Sequence, residues 1–117
     1  MSTPEERLAA LGLALPPVVP PVAVYVPAVR AGDLVWTSGQ LPMVDGVLPA
    51  TGKVGRDVTA EDARDLAARC ALNALAAIRA EVGELSRVRR VVRVVGYVAS
   101  DPTFTGQPAV VDGASTL

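Results

Sequence analysis

Gly32-Asp33-Leu34-Val35-Trp36-Thr37-Ser38-Gly39-Gln40-Leu41-Pro42 is the stretch whose reading decides the fold. Side chains alternate along an extended chain, so Leu34, Trp36 and Ser38 share one face and Val35 and Thr37 the other. Gly39 leaves its backbone N–H and C=O open to a ligand where a side chain would hinder approach. Pro42 has no N–H and stops further ladder pairing. A strand that finishes in a hydroxyl, a glycine and an amide, and then breaks, has the make-up of a pocket wall.

Upstream, Val22 to Arg30 reads as a first strand, with Pro27 marking an edge or an irregular spot. Ala31-Gly32-Asp33 is turn chemistry, so this strand and Leu34–Ser38 are expected to form a hairpin. Residues 43–58, with Gly46, Pro49, Gly52 and Gly55, read as a long connection holding one short strand around Gly46–Leu48. A helix follows Thr59. Thr59 and Asp62 make a variant capping box, Glu61 sits at the positive end of the dipole, and Gly83 is a natural stop. Ala63, Leu66, Ala67, Cys70, Ala71, Ala74, Leu75, Ile78 and Val82 recur at three- and four-residue steps as its apolar stripe. Asp65 and Arg69 are placed to pair on its wet face.

Arg87 to Ala99 is rich in β-branched residues and reads as a strand, giving a β–α–β unit with a right-handed crossover. Asp101-Pro102 breaks it, Phe104 to Gly113 is loop-like, and a second helix is expected to begin near Asp112. At the other end Thr3 caps a short helix, with Pro4 in its first turn, Glu6 completing a capping box, Leu8 and Leu11 as its sticky edge, and Gly12 as its stop. Residues 13–21 are proline-rich and extended. The expected organisation is one α/β domain, with a helix and extension over 1–21 and the core over 22–117.

Composition removes several chemistries. The chain has 117 residues, no histidine and one cysteine, Cys70. Imidazole catalysis, His-ligated metals, an intramolecular disulfide and Cys-rich zinc sites are therefore excluded. No acidic cluster resembles a cation loop, so no metal is expected. Eleven basic against twelve acidic residues leave a net charge of −1, which argues against a dedicated nucleic-acid binder. Arg87, Arg89, Arg90 and Arg93 read as a solvated or interfacial face, and Cys70 as a packing residue. Glu5 and Glu6 replace the basic start of a signal peptide, and no run of about 20 apolar residues could span a bilayer. The chain reads as cytoplasmic.

Thr37-Ser38-Gly39-Gln40-Leu41-Pro42, Tyr25 thirteen residues before Ser38, and the segment Val94-Val95-Gly96-Tyr97-Val98-Ala99-Ser100-Asp101 with Phe104 together resemble the Rid family. These are the YjgF-type enamine/imine deaminases, also labelled L-PSP endoribonucleases. The resemblance spans residues 22–117. It implies a mixed, mainly antiparallel sheet with two helices packed on one face. It also implies a chorismate-mutase-like homotrimer with ligand clefts between subunits. No cofactor is implied, and the partner is a small 2-imino or 2-oxo acid.

By the same resemblance Tyr25 and Ser38 are the catalytic pocket residues, and Gly39 offers a backbone contact. Asp112 falls where many members carry an asparagine, as a second substrate-binding position. Deaminase members also use an arginine on a later strand, in an Ala-Arg-Ser-like run, to hold a carboxylate, and often a glutamate beyond it. Neither has a counterpart here. The expectation is a core interrupted before its last helix and strands, roughly 30–40 residues short. The function implied is hydrolysis of 2-aminoacrylate-like enamines to 2-oxo acids and ammonia. A non-catalytic 2-oxo acid sensor and an RNA-directed protein are the alternatives.

Overall fold

The computed structural model describes residues 2–117. Its elements run α1 (Pro4–Ala10), β1 (Ala28–Ala31), β2 (Leu34–Thr37), α2 (Ala60–Val82), a 3-10 turn (Leu85–Arg87) and α3 (Gln107–Ser115). The chain divides into two compact units, Met1–Gln40 with Leu72–Val92, and Leu41–Ala71 with Arg93–Leu117.

In the first unit α1 forms because its free N–H groups are met locally. The Glu6 amide donates to Thr3 Oγ1 at 3.1 Å, and Pro4 opens the first turn. Gly12, at φ +76°, lets the chain leave in the left-handed region. Leu8 is buried and α1 packs against the 3-10 turn, whose Leu85 is buried too. Leu11, expected on the same edge, is exposed.

β1 and β2 form an antiparallel hairpin pairing Ala28 with Thr37, Val29 with Trp36, Arg30 with Val35 and Ala31 with Leu34. Gly32 takes the left-handed conformation in the two-residue turn. The first strand is shorter than Val22–Arg30. Pro20, Pro21 and Pro27 have no N–H to give a ladder, and the Tyr25 amide turns back onto the Ala23 carbonyl at 3.0 Å. At the other end the Ser38 amide still donates to the Pro27 carbonyl at 2.8 Å, so pairing reaches one residue past β2.

α2 has the predicted bounds. Thr59 Oγ1 accepts from the Asp62 amide at 3.1 Å, and Gly83, at φ +93°, donates to the Arg79 carbonyl at 2.7 Å. Thr59→Ala should lower stability by about 1 kcal/mol in urea denaturation. The covered face matches the predicted stripe in part, with Ala63 and Val82 buried. Leu66 and Ile78 are half-buried, whereas Leu72, Asn73, Ala76 and Ala77 are buried. Alanines lie all round this helix and give little contrast between faces, so the periodicity could not single out one side. Asp65 and Arg69 form no ion pair among the described residues; Arg69 Nε instead donates to the Met43 carbonyl at 2.9 Å.

In the second unit Val54, Ala63 and Val110 make a buried cluster, with Val58, Ala67, Val98 and Phe104 packed against it. The expected strand around Gly46–Leu48 reduces to one bridge between Val44 and Val47. Asp45 and Gly46, both at positive φ, supply its tight turn. Val54 donates to the Ala99 carbonyl and accepts from the Asp101 amide, both at 2.9 Å.

Two expectations are corrected. Arg87 to Ala99 is no strand: Arg87 closes the 3-10 turn, and residues 88–99 lie outside any strand of the structure. β-Branched side chains favour extension, but a strand also needs a partner to receive its N–H and C=O groups. The sheet among the described residues is therefore the two-stranded hairpin alone, without the parallel crossover. Phe104 to Gly113 is not a loop throughout, because α3 already begins at Gln107. Pro108 is tolerated in its first turn, where an N–H would lack a helical partner anyway.

Candidate functional site

Ser38 lies where the hairpin opens, half-buried and held by its neighbour across the ladder. The Pro27 carbonyl accepts both the Ser38 amide at 2.8 Å and the Ser38 hydroxyl at 3.2 Å. Gln40 returns from beyond the strand end and points Nε2 at Ser38 Oγ, 3.5 Å away. Tyr25 stands two residues before Pro27, so the ladder brings it to the same end of the hairpin as Ser38. Its ring is partly exposed and its hydroxyl accepts the Val22 amide at 3.3 Å.

Gly39 is exposed, and a Cβ built there would meet nothing within 4 Å. Its φ lies outside the left-handed region, so neither crowding nor backbone strain within the chain requires glycine at this position.

Tyr25, Ser38, Gly39 and Gln40 thus belong to one unit. Asp112 belongs to the other, on the exposed side of α3. Its carbonyl accepts the Thr116 amide at 2.8 Å and the Thr116 hydroxyl at 2.7 Å. Gln40, legible in the sequence as the amide after the glycine, gains a role only from its contact with Ser38. Its signal was available in the spacing, since an amide two residues after a serine at a strand end can reach back to the hydroxyl.

The arginine segment and the cysteine serve other ends. Arg87 Nη1 donates to the Val82 carbonyl at 2.9 Å, satisfying one of the last carbonyls of α2. Arg89, Arg90 and Arg93 are exposed. Cys70 is half-buried, and desolvation pushes its thiol up to about 11. A raised thiol favours the folded chain below its ordinary range, and that contribution fades as pH climbs from about 9 towards 11. At pH 8 Cys70 should therefore alkylate with iodoacetamide about a hundredfold more slowly than free cysteine, with the rate climbing towards pH 11 by mass spectrometry.

Among the described residues no helix is long and apolar enough to cross a membrane. A family model described as YjgF/chorismate mutase-like, putative endoribonuclease, matches residues 5–117. Protein TCP17 of Trypanosoma cruzi is 39% identical over 111 residues, covering 95% of this chain and 69% of its own. The crystal structure of Atu1372 from Agrobacterium tumefaciens, a protein of unknown function, superposes with a TM-score of 0.88. It is 46% identical and covers 96% of this chain and 69% of its own. A putative endoribonuclease from Shewanella oneidensis superposes with a TM-score of 0.90 at 35% identity, covering 98% of this chain and 76% of its own.

Proposed function

The chain belongs to the YjgF/chorismate mutase-like family, the Rid family, and on that premise we propose that it hydrolyses reactive enamines and imines of the 2-aminoacrylate type to 2-oxo acids and ammonia. The observation that carries this reading is the end of the hairpin. Ser38 is fixed to Pro27 beside an exposed glycine that nothing inside the fold requires, with Tyr25 at the same end. Space left open beside a held hydroxyl supports a ligand approaching there.

The chemistry suits a chain without histidine. A 2-aminoacrylate takes a proton at its methylene carbon to give the iminium. Water then adds to the carbon bearing nitrogen, and the carbinolamine expels ammonia, leaving the 2-oxo acid. Each proton can pass through water and hydroxyl groups, and the protein's part is to orient substrate and water. Tyr25 and Ser38 take that part, with the Gly39 backbone beside them. Asp112 is a second proposed substrate contact. The resemblance gives carboxylate anchoring to an arginine on a later strand, and among the described residues no strand follows β2.

The purified full-length protein should release ammonia and pyruvate from 2-aminoacrylate faster than the spontaneous reaction. Release at the spontaneous rate, from folded protein, rejects the assignment.

Assembly as a homotrimer acting in the cytoplasm belongs to the same reading. Exposed apolar side chains on the hairpin (Val29, Leu34 and Trp36) support burial against other copies. Sedimentation at micromolar concentration should give a three-chain species, and a monomer throughout contradicts it. An RNA-directed role, which the Shewanella relative's designation raises, would rest here on Arg89, Arg90 and Arg93. Those side chains act within a net charge of −1, and a steep loss of RNA affinity with salt would be their mark.

A further inference from the structure

A serine hydroxyl has one proton to give and two lone pairs to offer. The proton of Ser38 has a fixed destination, because the Pro27 carbonyl 3.2 Å away can only accept. That settles which end of the Gln40 amide faces Ser38. With the proton already directed to Pro27, the group 3.5 Å from Oγ must be a donor, and Nε2 is the atom there. At that length the contact orients the hydroxyl more than it binds it. One lone pair of Oγ is left, on a half-buried side chain beside the exposed Gly39.

We propose that Ser38 meets its ligand as a hydrogen-bond acceptor, with Gln40 as the positioning residue, so that the group recognised is an N–H donor. The preferred ligands are then acids carrying nitrogen on the carbon next to the carboxylate. The oxygen of a 2-oxo acid, itself an acceptor, has no partner at Ser38. This rests on the reading that Ser38 faces the substrate. It adds that the site distinguishes the nitrogen-bearing substrate from the oxo product, which favours product departure.

The test compares two small anions with the purified full-length protein. Oxamate and pyruvate have nearly the same size and charge, but oxamate carries an amino group where pyruvate carries a methyl. Calorimetric titration should show oxamate bound about fivefold more tightly, the scale of one hydrogen bond. Ser38→Ala should bring the ratio close to one. Gln40→Leu should lower the ratio too, because without the Nε2 donor the hydroxyl is free to turn its proton towards the ligand. A purely structural role for Gln40 would change both affinities alike and leave their ratio untouched.

Equal affinities in the unmodified protein, a preference for pyruvate, or no binding of either anion overturns the proposal. So does a Ser38→Ala variant that keeps the preference. A Gln40→Leu variant that keeps it overturns the positioning role. Ammonia release is scored separately. Oxamate preference without ammonia release upholds the acceptor assignment and rejects the deaminase, whereas release without preference does the reverse.

Discussion

Gly113→Ala should lower the melting temperature of this protein by about 10–20 °C, the largest stability effect expected of any single methyl group added to it. On propensity alone the change should help, since alanine is favoured over glycine inside a helix by about 1 kcal/mol. The structure reverses the sign. Gly113 is buried on α3 where that helix meets the backbone of α2, and a Cβ there would run into the Arg64 carbonyl oxygen. The obstacle is backbone, which cannot swing aside as a side-chain tip would.

Arg64 also holds α3 in place, donating Nη1 to the Ala109 carbonyl at 3.1 Å and Nη2 to Thr116 Oγ1 at 3.3 Å. Moving α3 outward would strain both bonds and pull Val110 from the Val54–Ala63 cluster. The cost of such overpacking is about 2–3 kcal/mol. Gly83→Ala is the control, because that glycine sits at φ +93° with open space around it, and only the milder penalty of a left-handed alanine applies. Thermal melts followed by circular dichroism should separate the two variants clearly. A Gly113→Ala protein as stable as its parent would contradict this helix contact.

What the sequence disclosed about the fold was local. Thr3 and Thr59 cap because their hydroxyls reach amides three residues on, and Gly12 and Gly83 end helices because their own φ permits it. The Gly32-Asp33 turn is likewise written in two residues. What was hidden depended on distant partners. Val88 to Ala99 has the composition of a strand, yet pairing needs a second chain segment that composition does not name. Gly113 ends the stretch that reads as loop-like, whereas its reason is the Arg64 backbone 49 positions away. At the site the serine, the glycine and the amide stood in plain view, but not the direction of the hydroxyl. That depends on Pro27, eleven residues back across the hairpin.

The direction of that hydroxyl makes Ser38→Ala the most informative change for activity. The variant keeps the amide bond from residue 38 to Pro27 at 2.8 Å, so the end of the hairpin stays closed and the melting temperature should move by no more than about 2 °C. On the proposed reading it removes the acceptor that faces the ligand. If the partner is the N–H of an iminium, the bond is charge-assisted and contributes about 1.5–3 kcal/mol, so kcat/KM for ammonia release should fall about 10–100-fold. Positive charge on nitrogen is present as water adds to the iminium and absent from the 2-oxo product. The loss should therefore fall mainly on kcat, with pyruvate inhibition nearly unchanged. Tyr25→Phe removes a hydroxyl whose bond among the described residues is to the exposed Val22 amide, so its effect should likewise be on turnover and not on folding. Steady-state measurement of both variants, with melting curves alongside, separates a site from a turn. If Ser38→Ala loses stability and activity together, the hydroxyl serves the hairpin; if only turnover falls, it serves the substrate.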